Sequence, residues 1–199
     1  MFAQVQDGAI VRTGFSVQKM FPNVSFSGMP NSQFLTENNI QDVVEAERKD
    51  RLYYYVSPGD VVLVDGVPTQ QYTNTAMAIE DVAEVDDVSG NPMYVQEYDA
   101  SANGGEGAMV DTSVQMITRG LKYTFKNRIK DQANSALANT DWMVIRKAER
   151  SVEIPAATVT YRAAVITEYD RLKAAITGAA DVDALAVVMG AQNWPVEAI

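Results

Sequence analysis

The sequence predicts an α+β protein with an N-terminal antiparallel β region followed by a C-terminal helical hairpin. Short β-type segments and Asp-Gly turns fill the first part of the chain. In the last part, apolar residues recur every three or four positions, which is the period of a helix. We therefore predict a β-rich domain at residues 1–85, an acidic, glycine-bearing loop or linker at 86–118, and a helical hairpin domain at 119–199.

Two Asp-Gly dipeptides, each placed between β-type segments, predict β-hairpins at Asp7-Gly8 and Asp65-Gly66. Both central residues of a type I′ turn need positive φ, which these residue types tolerate. Pro68 follows the second turn closely and has no N–H to donate to a ladder. We therefore expect it to mark an edge strand or a short return strand.

Two stripes of apolar residues predict two long helices. The first stripe comprises Leu121, Phe125, Ile129, Ala133 and Leu137, and the second comprises Val165, Tyr169, Leu172 and Ile176. We expect the first helix to end near Asn139, which tolerates left-handed φ, and the second to begin at Pro155 and stop at Gly178. A third, short helix should be capped by Asp181 and closed by Gly190. About fifteen residues would then join the two long helices into an antiparallel hairpin.

The composition excludes several kinds of chemistry. The 199 residues include no cysteine and no histidine, so disulfides, thiolate sites, a Ser-His-Asp triad and a histidine-based zinc site are impossible. The sequence has no apolar run long enough for a membrane span. We expect no signal peptide, because the first residues lack a basic start and an apolar core. We expect no catalytic residues, no cofactor and no metal.

Charge is distributed unevenly along the chain, whose net charge is −10. Residues 35–111 include 16 acidic and 3 basic residues, whereas residues 112–150 include 8 basic and 3 acidic residues. Duplex DNA would be repelled by most of such a surface, which argues against nucleic-acid binding. The pattern suits a basic patch on a protein partner or head-to-tail contact between copies, and it is also compatible with plain solubility.

Two acidic segments have alternative interpretations. Asp99, Ser101, Asn103 and Gly104 partly match a calcium loop, but Val110 stands where the bidentate glutamate belongs, so a flexible acidic loop is the simpler interpretation. A carboxylate cluster comprises Glu80, Asp81, Glu84, Asp86 and Asp87. Paired carboxylates can hydrolyse glycosides when their separation is fixed. The alternative function is therefore a carboxylate-based carbohydrate-active enzyme or a glycan-binding protein.

The last part of the chain contains aromatic and polar residues in a recognisable order: Thr140-Asp141-Trp142, then Pro155, Tyr161-Arg162 and Trp194-Pro195. This order resembles the C-terminal part of tail-fibre assembly and tail accessory proteins of tailed bacteriophages. The resemblance covers residues 119–195, about two fifths of the chain. The segment 143–154 is more charged than the short proline-rich link that such proteins carry.

The resemblance implies a non-enzymatic tail structural or assembly protein that binds other tail or fibre subunits, in the virion tail or in the host cytoplasm during assembly. The candidate partner-binding residues are Trp142, Tyr161, Arg162 and Trp194, which are residue types enriched at the centres of interfaces. Structural packing is the other interpretation of these four residues. In that interpretation both tryptophans lie at helix ends and pin the open end of the hairpin, and each indole N–H donates to a carbonyl.

Overall fold

A computed structural model of the chain describes residues 1–197. The chain divides into two compact units, Met1–Ala76 and Met77–Ile199. The first unit is built mainly from antiparallel strands and the second ends in three helices, so the predicted α+β class is confirmed. Among the described residues, no helix combines the length and the apolar character that crossing a bilayer requires.

The first unit contains two three-stranded sheets. Its elements are β1 (Phe2–Gln6), β2 (Ala9–Gly14), α1 (Val17–Met20), α2 (Ser32–Glu37), β3 (Ile40–Asp42), β4 (Val44–Glu45), β5 (Tyr54–Val64) and β6 (Val67–Ala76). The sheet orders are β2-β1-β3 and β4-β6-β5. Both predicted Asp-Gly hairpins are confirmed, since Asp7, Gly8, Asp65 and Gly66 all have positive φ between paired strands.

The prediction from Pro68 is wrong. Strand β6 is ten residues long and lies between β4 and β5. Pro68 is tolerated there because β4 pairs with β6 only from Thr69 onwards, while Pro68 itself faces Leu63 of β5. The missing N–H therefore falls one residue before the second ladder begins.

The second unit combines short strands with a helical region. Its elements are β7 (Val82–Ala83), β8 (Tyr94–Asp99), α3 (Ala102–Gly105), β9 (Ala108–Gln115), β10 (Ile117–Thr118), α4 (Leu121–Arg150), α5 (Ala156–Gly178) and α6 (Val182–Gly190). Strand β7 pairs with β10, and β8 pairs with β9. The pairing of β7 with β10 connects residues 77–85 to the second unit, which is why the chain divides after Ala76 and not at the predicted residue 85.

The predicted acidic loop at residues 86–118 contains an antiparallel β-hairpin. Strands β8 and β9 are joined through a turn in which Asn103 and Gly104 adopt left-handed φ. Three of the four glycines that suggested a loop, Gly104, Gly105 and Gly107, lie at this turn. The strands were missed because their apolar residues do not alternate cleanly with polar ones.

Helix α4 is longer than the sequence predicts. It runs without a break from Leu121 to Arg150, and Ser151 ends it in the left-handed conformation. The predicted end at Asn139 is wrong because the residues that follow include neither glycine nor proline and are compatible with a helix. Only four residues, Val152 to Pro155, then separate Ser151 from α5.

The three helices form the core of the second unit. The buried apolar residues are Leu121, Phe125, Ile129 and Ala133 of α4, Val165, Leu172 and Ile176 of α5, and Val182, Leu185 and Met189 of α6. Both predicted stripes are thus confirmed, with Leu137 and Tyr169 only half-buried. The predicted third helix is also confirmed, since the Asp181 side chain accepts a hydrogen bond from the N–H of Ala184.

Candidate partner-binding site on the helical hairpin

Arg162 of α5 is the centre of a polar cluster that joins the two long helices. Its Nη1 donates to the Leu137 carbonyl at 3.0 Å and to Thr140 Oγ1 at 2.6 Å. It also forms an ion pair with Asp141 Oδ1 at 2.9 Å. Thr140 is fully buried, and its hydroxyl donates to the Leu137 carbonyl. One guanidinium therefore satisfies three oxygens on neighbouring turns of α4.

Tyr161 supports the same contact from the adjacent position. Its hydroxyl donates to the Ala136 carbonyl of α4 at 3.0 Å. Tyr161 and Arg162, both predicted to bind a partner, thus use their polar atoms within the hairpin. We call Tyr161, Arg162, Thr140 and Asp141 the interhelical clamp. Asp141 lies inside α4, and its carboxylate pairs with Arg162.

Trp142 differs from the clamp residues because its side chain is directed outward. It is 51% exposed, although it directly follows Thr140 and Asp141 in the chain. The guanidinium of Arg146 lies over its ring, 4.7 Å from the centroid. Ile145, on the next turn, is 57% exposed. Together Trp142, Ile145 and Arg146 form a surface with apolar and cationic character, which we call the Trp142 knob.

Trp194 lies in the segment that follows α6. Its indole N–H donates to the Gln192 side-chain oxygen at 2.8 Å. It borders a shallow groove of about 620 Å³ whose other lining residues all belong to the first half of α4, from Thr124 to Ala136. The prediction that both tryptophans pin the open end of the hairpin is wrong, because Trp142 lies within α4 and Trp194 lies beside the opposite half of that helix.

Glu168 fixes the segment that contains Trp194, and the sequence analysis missed it. This buried carboxylate receives two hydrogen bonds of 2.7 Å from the Arg171 guanidinium and one of 2.7 Å from the Asn193 N–H. Arg171 also donates to the Ala191 carbonyl. The Arg171 hydrogen bonds, followed by that of Asn193, hold the pKa of Glu168 below its ordinary value. An acidic residue three positions after Val165 in the apolar stripe was the available signal.

The acidic residues around Glu80 anchor the start of α4. Glu80 pairs with Lys122, and Asp81 pairs with Arg119 and accepts from the Gly120 N–H at 2.9 Å. The Gly120 hydrogen bond, together with Arg119, lowers the pKa of Asp81. Two other acidic residues of this cluster contact different segments. The Glu84 carboxylate accepts a hydrogen bond from the Thr118 hydroxyl, and the Asp86 carboxylate accepts one from the Ser89 N–H within its own turn.

Gly120 itself allows this close approach. A Cβ atom at this position would lie 2.3 Å from the Glu80 carbonyl oxygen, so a side chain cannot be added without moving the backbone. The first N–H groups of α4 donate to the carbonyls of Ala78 and Ile79 at 2.9 and 3.0 Å. The residues before β7 thereby satisfy the helix terminus, which has no side-chain cap.

The segment with a partial calcium-loop pattern forms the turn between β8 and β9. The Asp99 carboxylate accepts hydrogen bonds from the hydroxyl and from the N–H of Ser101, and these lower the pKa of Asp99. Asn103 donates to Glu106. Within residues 1–197, no group of three or more acidic side chains is arranged to hold a metal ion.

Comparison of the chain with family models, with curated proteins and with solved structures finds no match in any of the three. The resemblance of residues 119–195 to phage tail-fibre assembly and tail accessory proteins therefore stays a prediction.

Proposed function

We propose that this chain is a non-enzymatic structural or assembly protein of a bacteriophage tail, in the tail-fibre region, and that it binds other tail or fibre subunits. The observation that supports this proposal is the interhelical clamp. Residues that carry the family resemblance, Thr140, Asp141, Tyr161 and Arg162, are well separated in sequence yet meet in one cluster. The residues of this sequence pattern thus have one structural task in this chain.

The clamp also divides the candidate partner-binding residues by role. Tyr161 and Arg162 are engaged with α4, so their part in binding is to hold the hairpin in shape. Trp142 is the member of the set that offers a large apolar surface to solvent. Exposed tryptophan beside a cationic side chain is typical of residues that dominate the affinity of an interface. We assign the contact with a partner to Trp142 and its neighbours on α4.

Burial of the Trp142 knob would supply the affinity, and the uneven charge of the chain would orient the partner and raise the association rate. The overall net charge of −10 favours a protein partner over a nucleic acid. No cofactor and no membrane contact are part of this proposal.

The decisive experiment combines mass spectrometry of purified virions with removal of the gene. We expect either peptides of this chain in particles at a fixed ratio to a tail subunit, or particles with missing or misassembled fibres when the gene is deleted. Trp142→Ala should reproduce the deletion phenotype, while Val187→Ala, which alters an exposed residue of α6, should not. Absence of the chain from purified particles, together with normal particles and full infectivity without the gene, would overturn the proposal.

The alternative function, glycan hydrolysis or binding by carboxylates, is tested by the triple variant Asp81→Asn, Glu84→Gln, Asp86→Asn. The described contacts of these residues are with Arg119, Gly120, Thr118 and Ser89. We therefore expect the triple variant to lose stability. Glycan turnover by the wild-type chain that is lost in a folded triple variant, with assembly intact, would favour the enzyme instead.

A further inference from the structure

The β8–β9 hairpin exposes apolar side chains on both of its faces. Tyr98 and Met109 are paired across the strands and are 67% and 55% exposed. The exposed apolar residues of the two strands are Val95, Tyr98, Met109, Val110 and Val114. A two-stranded sheet that lacks a packed face gains little stability in water. This surface would therefore gain from being covered by another molecule.

An open groove of about 520 Å³ lies at the base of this hairpin. Its walls include the apolar side chains of Met93, Tyr94 and Met116, with Asp111 as its charged residue. We call it the Met93 groove. Methionine side chains adapt readily to flat aromatic surfaces, and the volume is sufficient for an indole ring.

The segment that forms the groove is acidic and carries no basic residue. Between Met77 and Thr118 the sequence has nine acidic residues and neither lysine nor arginine. The Asp111 carboxylate accepts a hydrogen bond from Gln96 at 3.0 Å, and no cation among the described residues forms an ion pair with it. A ligand for the groove should therefore carry an apolar group together with a positive charge.

The Trp142 knob of α4 has this combination. It offers an indole ring, the adjacent apolar side chain of Ile145 and the guanidinium of Arg146. Arg146 forms no ion pair within the described part of the chain. The groove and the knob are thus two exposed surfaces of the same chain, apolar at their centres and opposite in charge.

We propose that the Trp142 knob of one copy enters the Met93 groove of a second copy, with Arg146 paired to Asp111 of that copy. The contact is head-to-tail, so each copy offers one knob and one groove, and repetition produces a ring or a filament. The inference rests on the proposed function, since it names the partner of Trp142. Its failure in purified protein would leave the virion test standing, because a monomer can still join particles through other tail proteins.

Charge also argues against the symmetric alternative, in which two hairpins pair edge to edge. Pairing through β8 would bring Glu97 and Asp99 close to the same two residues of the second copy, and pairing through β9 would do the same for Asp111. Like charges placed opposite each other destabilise a sheet. The basic knob avoids this repulsion and relieves the acidity of the hairpin.

Analytical ultracentrifugation of the purified chain, from micromolar to near-millimolar concentration, tests the proposal. We expect wild-type protein to form species larger than the 21.8 kDa chain, and to dissociate as salt is raised. Trp142→Ala should weaken association by about 30-fold or more, which is the effect of losing an interface hot spot. Arg128→Glu, a charge reversal at an exposed position on the first half of α4, should leave association unchanged.

Mixing two variants distinguishes head-to-tail contact from symmetric contact. The double variant Trp142→Ala, Arg146→Glu lacks a functional knob, and Asp111→Lys lacks a functional groove. Each alone should be monomeric, whereas an equimolar mixture should form a species of twice the chain mass and nothing larger. Self-association of the knob variant alone, or a mixture that stays monomeric, would overturn the proposal.

A charge exchange within one chain gives an independent readout. Arg146→Glu should weaken association by about tenfold or more, and adding Asp111→Arg to the same chain should restore it. All substituted residues are at least partly exposed, and circular dichroism with thermal melting checks that each variant is folded. Wild-type protein that remains monomeric across the whole concentration range would also overturn the proposal.

Discussion

The two halves of α4 have the same backbone geometry but opposite surroundings. Between Leu121 and Thr140 the helix buries a side chain on almost every turn, whereas between Asp141 and Arg150 it buries none. The second half persists because its residues favour a helix and because Lys147 and Arg150 lie in the last turn, where cations stabilise the helix dipole. The length of α4 therefore depends on the absence of glycine and proline, whereas the part of α4 that packs in the core depends on the apolar stripe.

The largest expected change in stability comes from substituting an isoleucine in the first half of α4, and an isoleucine in the second half is its control. Ile129 is fully buried and Ile145 is 57% exposed. Ile129→Ala should lower the free energy of unfolding by about 2–5 kcal/mol, because it removes buried methyl groups and leaves a cavity. Ile145→Ala should change it by less than about 0.5 kcal/mol. Urea denaturation of both variants checks the difference.

Equal losses in the two variants would show that the second half of α4 is packed in solution. If the copies associate through the Trp142 knob, the loss of unfolding free energy caused by Ile145→Ala should increase with protein concentration. The loss caused by Ile129→Ala should not depend on concentration. Repeating the denaturation at two concentrations separates these cases.

The next effect concerns the interhelical clamp, which lies at the boundary between the halves. Arg162→Met should lower the free energy of unfolding by about 2 kcal/mol, because buried Thr140 and the Asp141 carboxylate lose a charged partner. Arg150→Met, which alters an exposed arginine in the last turn, is the matched control and should have little effect. Retained stability in Arg162→Met would contradict the structural role of the clamp.

The comparison also explains what the sequence could predict. Phe125 and Ile129 define the core because burial follows the helical period, and Asp7-Gly8 defines a hairpin because few residues tolerate positive φ. The predicted end of α4 is wrong because Asn139 tolerates left-handed φ but does not require it, so the helix continues past it. Ser151 has left-handed φ without being glycine, so it carried little signal.

The candidate site was harder to predict because it depends on contacts between distant segments. Nothing local in Arg162 indicates whether its guanidinium faces a partner or the Leu137 carbonyl, 25 residues away. The Met93 groove was missed altogether, since its lining residues come from β8, β9 and the segments beside them. Exposure of Trp142, in contrast, could have been inferred from its distance from the stripe.

A smaller, pH-dependent effect concerns the segment that lies along the first half of α4. Because the pKa of Glu168 is lowered in the folded chain, its stabilising contribution is complete above the unfolded pKa and is lost as pH falls through the folded pKa. Glu168→Gln should therefore be less stable than wild type at neutral pH, and the difference should shrink as pH falls from about 5 towards about 3.

Trp194 fluorescence, recorded in a Trp142→Phe background, reports whether the segment after α6 is released together with Glu168. The matched control is Asp170→Asn, an exposed carboxylate two positions along α5. A stability difference that is independent of pH would mean that the Glu168 contacts act by shape and not by charge.

The smallest expected change in unfolding free energy comes from Ser151, which ends α4 and lies outside the core. Ser151 has φ of 54° and its N–H donates to the Lys147 carbonyl, so it closes the helix in a conformation that glycine adopts without strain. Ser151→Gly should raise the free energy of unfolding by about 0.5–1 kcal/mol. Thermal melting measures the gain, and hydrogen exchange should place the added protection in residues 141–150 and leave residues 121–140 unchanged. A loss of stability would mean that the helix ends before Ser151, as the apolar stripe alone predicts.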